Sequence, residues 1–145
     1  MDKIKRMKTR PGAVLPARAT QGSAGYDLSA AIDGPMTVEM GGTTRVPTGI
    51  AIQLEPGTVG LVFGRSGLGT KHGVTMSNGV GVIDSDYRGE MVVSLTCRHT
   101  QPYTVRPGDR IAQLVIVPVL TPPVEEVTEL DETDRGAGGF GSTGK

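Results

Sequence analysis

Chain-reversing residues recur along this sequence too often for a long helix to fit between them. They stand at Asp33-Gly34-Pro35, Gly41-Gly42, Glu55-Pro56-Gly57, Asn78-Gly79, Arg88-Gly89 and Arg106-Pro107-Gly108-Asp109. Each cluster supplies either a positive φ or a φ fixed by proline, as a tight turn requires. Between them lie apolar segments of strand length, among them Val59–Phe63, Met91–Cys97 and Ile111–Val119. That rhythm predicts an all-β chain built as a sandwich, barrel or jelly roll. At most a turn or two of helix is expected, near Ser66–Lys71. Glycine contributes 22 and proline 10 of the 145 residues, close to low-complexity usage. The apolar residues are regularly spaced, however, so the chain reads as short strands and turns.

Two segments show how those strands are covered. In Met91–Arg98 the residues Met91, Val93, Leu95 and Cys97 share one face, and Val92, Ser94, Thr96 and Arg98 the other. Cys97 thus falls in an apolar stripe and reads as a small buried hydrophobe rather than a reactive thiol. Ile111–Val119 is apolar on both faces, with Gln113 its one polar interruption. Such a strand needs cover from a second sheet or from another subunit. Gln113 then needs a partner, which is either structural or a ligand.

The length fits one domain with a modest core. Fifteen basic residues balance fifteen acidic ones, and aromatics make up 3%. Neither a phosphate-gripping surface for long nucleic acids nor a base-stacking platform is expected from that balance. With Cys97 alone, no intrachain disulfide can form. Met1–Arg10 is basic without the apolar run of a signal peptide, and no stretch approaches a membrane span. The expectation is a protein of a reducing, cytoplasmic compartment, without membrane or nucleic-acid partners. From Thr121 the character changes: Pro122-Pro123, the acidic stretch Glu125–Asp134, then a glycine-rich tail from Arg135 to Lys145.

Single motifs are ambiguous. The tail stretch Gly139-Phe140-Gly141-Ser142-Thr143-Gly144-Lys145 matches seven positions of a P-loop, but no apolar strand precedes it and no helix follows. It is either a solvated extension or a mobile flap whose amides and Arg135 close over phosphates. Arg65-Ser66-Gly67 is either an ordinary turn or an anion site. Asp84 and Asp86 are either Asx-turn caps or, for one facing a pocket, a base. His72 and His99 lack metal-ligand company and belong to no triad.

The order of these motifs is specific. Ala24–Leu28, Arg65–Gly69, Gly81–Gly89, Arg110–Leu114 and Arg135–Gly144 follow one another as AGYDL, RSGLG, GVIDSDYRG, RIAQL and RGAGGFGSTG. This succession resembles the five motifs of the trimeric dUTP pyrophosphatase family, complete and in order. The resemblance implies a distorted jelly roll of the β-clip kind over residues 1–134, a glycine-rich C-terminal flap over 135–145, and a homotrimer. Each of its three active sites would draw on all three subunits. Asp84 would activate the water that attacks the α-phosphorus of dUTP, giving dUMP and pyrophosphate. Tyr87 would lie under the deoxyribose, where a 2′-hydroxyl would clash. Asn78 and the backbone at Val82 and Ile83 would read uracil, with Val92 beside them. Arg65, Ser66, Gly67 and Gln113 would hold phosphates. Arg135, Gly141, Ser142 and Thr143 would close on the γ end, and Phe140 would stack on uracil. Mg²⁺ is the implied cofactor, without a direct protein ligand, and Asp27 would steady its waters. Gly64 departs from the pattern, since the family often has proline there.

Two rival readings are open. A dCTP deaminase has a related fold, but it needs a glutamate as proton shuttle and usually lacks the aromatic glycine-rich tail. A non-catalytic nucleotide-binding regulatory trimer would bind dUTP without releasing pyrophosphate.

Overall fold

A computed structural model describes residues 3–144. Its strands are β1 (Lys5–Lys8), β2 (Tyr26–Ser29), β3 (Met36–Val38), β4 (Thr44–Pro47), β5 (Ile50–Gln53), β6 (Thr58–Gly64), β7 (Val74–Met76), β8 (Gly81–Ile83), β9 (Val92–Cys97), β10 (Tyr103–Val105) and β11 (Arg110–Pro118). The one helix among the described residues, α1, spans Ser66–His72, where the sequence allowed a turn or two. No helix there is long and apolar enough to cross a membrane.

All strand pairs are antiparallel, and three of them nest: β2 with β11, β3 with β10, and β4 with β9. A long hairpin folded over on itself gives this nesting, and the result is a distorted jelly roll. The largest sheet runs β2-β11-β6-β8, and a second runs β4-β9-β7. Alternation along β9 sends Val93, Leu95 and Cys97 inward, and the preceding Met91 is buried with them. They join Leu28, Val38, Val46, Ile50, Val105, Ile111 and Leu114 in one core. Each such side chain contributes about 1.5–3 kcal/mol by leaving water.

β11 is less completely covered than its sequence predicts for one chain. Ala112 and Leu114 are buried, while Gln113, Val115 and Val117 on the opposite face are half-buried. A register shift between Arg110 and Ala112 turns Ile111 into the core as well. This half-covered face belongs to an inner strand of the sheet.

The turn after β4 is tightly packed. Gly49 has φ +68°, and a Cβ there would lie 2.6 Å from the Ala13 Cβ, 2.8 Å from the Arg10 Cγ and 3.0 Å from the Ala31 Cβ. Its N–H donates to Glu90 Oε1 at 2.7 Å, and its carbonyl accepts from the Thr9 N–H at 2.8 Å. Gly49→Ala therefore meets both left-handed strain and overpacking, together about 2–4 kcal/mol. A lowered urea midpoint with an unchanged slope is the expected result.

Candidate active site

The sequence motifs gather into two groups at opposite ends of the large sheet. In the first, Asp27 on β2, Gln113 on β11 and Phe63 on β6 stand in register across three strands. Asp27 Oδ1 lies 3.5 Å from Arg65 Nε, and its Oδ2 lies 3.3 Å from Arg110 Nη1. Arg65 Nη1 donates to the Arg110 carbonyl at 3.3 Å. Asp27 thus holds two guanidiniums side by side, and neither is neutralised by a carboxylate of its own. Arg65 also follows β6 and precedes α1, where no side chain caps the first turn. The amides of Ser66 and Gly67 have no intrahelical partners at that position. Two cations next to unpaired amides make a basin for anionic oxygens.

Gln113 spends one amide N–H on the fold. Its Nε2 donates to the Gly64 carbonyl at 3.3 Å, and its Oε1 lies where a Cβ at Gly25 would intrude at 2.6 Å. The glycine of the first motif is needed there because the glutamine lies against it.

The second group surrounds a shallow cavity of about 240 Å³. Val82 and Ile83 of β8, Asp84, Tyr87 and Val92 line it together, and so do Arg45, Glu90 and Met91. β8 is the last strand of its sheet, so its outer backbone edge has no strand partner. Such an edge offers N–H and C=O groups at fixed spacing to a planar ligand. Tyr87 folds back over Gly89: a Cβ on that glycine would sit 2.4 Å from the tyrosine oxygen. The Tyr87 hydroxyl donates to the Glu90 carbonyl at 2.9 Å, so the ring rather than the hydroxyl faces the cavity opening. Asn78 lies in the β7–β8 turn, where its Nδ2 donates to the Val80 carbonyl at 3.3 Å. It does not line the cavity.

Asp84 follows Ile83, which pairs with Gly60, and it shares a groove with Thr58 and Val59. Arg65 lies past the other end of β6. Six residue steps at about 3.3 Å each separate the two ends by about 20 Å. Within one chain, then, Asp84 and the Arg65 group cannot touch the same phosphate.

The tail joins neither group. The hydrogen bonds made by residues 135–144 stay within residues 133–144, including Arg135 Nε to the Gly138 carbonyl at 2.8 Å. Phe140 has φ +50° and is fully exposed. Gly141, Ser142 and Thr143 are exposed beside it, and Lys145 lies outside the described residues.

Glu90, Arg45 and Arg110 were not singled out by the sequence. Arg110 and Glu90 stand within or directly after motifs that were quoted, whereas Arg45 carries no local signal beyond the alternation of β4. Both Glu90 oxygens are occupied: Oε1 accepts from Arg10 Nε and the Gly49 N–H, and Oε2 from Arg10 Nη2. The hydrogen bonds from Arg10 hold its carboxyl below the usual carboxylate range. A depressed folded value stabilises above the unfolded carboxylate pKa of about 4.3, and that contribution is lost as pH falls through the folded value.

The sequence profile of the dUTPase family matches residues 12–144. The chain belongs to the dUTPase family. The deoxyuridine 5′-triphosphate nucleotidohydrolase of Paraburkholderia phymatum is 52% identical over 143 residues, 98% of this chain and 97% of that protein. Its counterpart from Chromobacterium violaceum is 55% identical over 132 residues, 90% of this chain and 88% of the relative. Among solved structures, the dUTPase of Staphylococcus bacteriophage 80alpha with dUpNHpp superposes with a TM-score of 0.87. It is 26% identical and covers 100% of both chains. The jelly-roll reading is borne out by this likeness, and family membership makes the dUTPase-family chain a nucleotide hydrolase, a dUTP diphosphatase.

Proposed function

We propose that the chain hydrolyses dUTP to dUMP and pyrophosphate in a site assembled between subunits of a homotrimer. The observation that carries this reading is the cavity that unites Asp84, the Tyr87 ring and the free edge of β8. In it, the backbone at Val82 and Ile83 binds the uracil edge, to which Asn78 reaches from the adjoining β7–β8 turn, Val92 closes the side, and Tyr87 packs under the sugar. Asp84 accepts a proton from water as the water oxygen bonds to the α-phosphorus. The bond to the bridging oxygen breaks, and pyrophosphate leaves. A positioned base contributes about 10²–10⁴-fold to such a step.

Arg65, Ser66, Gly67 and Gln113 serve the phosphates, and the roughly 20 Å between Asp84 and Arg65 in one chain means that another subunit must supply them. The half-bare face of β11 is the apolar surface on which such a neighbour can pack. Arg135, Gly141, Ser142 and Thr143 of the 135–145 flap bind the γ end, and Phe140 stacks on uracil, after closure. The β domain of residues 1–134 and this flap are thus separate working parts.

Mg²⁺ fits the residues present. No group of three or more His, Cys, Asp or Glu side chains that could hold a metal ion occurs among the described residues. Mg²⁺ is commonly held by phosphates and waters with few carboxylates, and Asp27 can accept from those waters. When bound, it neutralises charge on the phosphates and leaving pyrophosphate. Excess chelator is expected to lower pyrophosphate release by about a hundredfold, and full activity in chelator would remove the metal from this reading.

Glu90 bears on the deaminase alternative, because a glutamate does line the cavity. Its oxygens are committed to Arg10 and Gly49, which suits an anchor and not a proton shuttle. The deciding assay offers dUTP, dCTP, dTTP and UTP and measures both pyrophosphate and ammonia. Pyrophosphate from dUTP alone is expected. Ammonia from dCTP would favour the deaminase, and binding without turnover a regulatory trimer. The corresponding role is to limit uracil entry into DNA and supply dUMP for dTMP synthesis, in the cytoplasm.

A further inference from the structure

We infer that Arg10 is a positioning residue for sugar selection: through Glu90 it fixes the Tyr87 ring, and so the discrimination between 2′-deoxy- and ribonucleotides. The inference rests on the reading of Tyr87 as the sugar-facing wall.

The connection is continuous. Arg10 grips Glu90 through two parallel bonds, Nε to Oε1 and Nη2 to Oε2, both 2.8 Å. A fork of this kind fixes direction as well as distance. Gly49 adds a third donor to the same carboxylate at 2.7 Å. The next residue is tied on both sides: the Met91 N–H donates to the Ile50 carbonyl at 2.8 Å, and Thr48 Oγ1 donates to the Met91 carbonyl at 2.7 Å. Glu90 is therefore held by side chain and by neighbouring backbone, and its carbonyl is the acceptor that holds the Tyr87 hydroxyl at 2.9 Å. Gly89, between them, is what lets the ring lie there, since a Cβ on it would sit 2.4 Å from the Tyr87 oxygen.

Arg10 itself does not line the cavity. An exposed ion pair ordinarily contributes little to stability, so stability alone is a weak reason for so well formed a pair. What the pair does have is a carboxylate on the same residue whose backbone carbonyl holds the Tyr87 hydroxyl. Loosening it lets the ring tip away from the sugar, which admits a 2′-hydroxyl while leaving Asp84 in place.

The test measures kcat/KM for dUTP and UTP, with thermal midpoints, in wild type, Arg10→Ala, Arg10→Lys, Tyr87→Phe, Tyr87→Ala and the Arg10→Ala/Tyr87→Phe double variant. Arg10→Ala should narrow the dUTP-over-UTP ratio by about fivefold to tenfold, the coupling typical of one hydrogen-bond network. Arg10→Lys, which keeps charge without the fork, should narrow it less than Arg10→Ala but measurably. In the Tyr87→Phe background, where the hydroxyl tie is already gone, Arg10→Ala should add little. A parallel loss for both substrates, or an undiminished effect in the Tyr87→Phe background, overturns the inference. Should Arg10→Ala fail to fold, Arg10→Lys carries the comparison, and an unchanged ratio overturns it. If Tyr87→Ala leaves the ratio intact, the sugar-wall reading itself falls and takes the inference with it. If Tyr87→Ala collapses the ratio while folded Arg10→Ala preserves it, only the role of Arg10 is lost.

Discussion

Asp84→Asn should abolish turnover while leaving nucleotide binding within a few fold of wild type. The amide keeps the size and most of the hydrogen-bonding shape of the carboxylate, but it cannot take a proton from water. The expected fall in kcat is about 10²–10⁴-fold, the range of general-base catalysis. More than about a tenth of wild-type activity in the variant would mean that the proton goes elsewhere. The separation of Asp84 from Arg65 along β6 adds a sharper experiment. Chains carrying Asp84→Asn and chains carrying Arg65→Ala, each inactive alone, are unfolded, mixed equally and refolded. If the two groups meet only between chains, about a quarter of the sites in random oligomers receive both intact residues, and activity reappears. Silence after mixing would mean that one chain closes its own site, and the intersubunit reading would be wrong.

Removal of residues 135–145 should separate catalysis from stability. The hydrogen bonds of residues 135–144 are local, and Phe140 is exposed. Nothing in the core depends on them, so the thermal midpoint of the truncated chain should match that of the full one. Activity should fall by about 10²–10³-fold, because donors engaged only in the closed complex act on the transition state. Phe140→Ala should cost less, as it removes stacking and keeps the phosphate contacts. Glycine amides of the tail, followed by NMR, should become ordered with dUpNHpp and Mg²⁺. Full activity of the truncated chain with unchanged tail signals would make the segment a plain solvated extension.

Much of this architecture was legible in the sequence because it depends on local chemistry. The Glu55–Gly57, Asn78–Gly79 and Arg106–Asp109 clusters mark chain reversals, and glycine takes a positive φ in each. The alternation of β9 was readable because a buried face and a solvated face differ in every second residue. Long-range pairing was not legible. Nothing in Lys5–Lys8, basic and exposed, announces a strand, since its order comes from pairing with Ile50–Gln53. The same holds at the site. Asp84 and Tyr87 sit in a dense motif, whereas Arg10 acts on a residue eighty positions away, and no periodicity records that contact. The commitment of Gln113 to the Gly64 carbonyl and of Asp27 to two arginines likewise exists only once three strands lie side by side.

The nesting of β2 with β11 has a consequence for how the chain is made. β11 is the shared partner of β2 and β6, so the largest sheet cannot form before Arg110–Pro118 has left the ribosome. At about 5–20 residues per second, β2 waits several seconds for its partner while the rest of the domain is synthesised. Contacts between such distant residues also make the search itself slow. Nascent chains stalled short of β11 should therefore expose unpaired edges of β2 and β6, remain open to protease, and engage chaperones until the last strand closes the sheet.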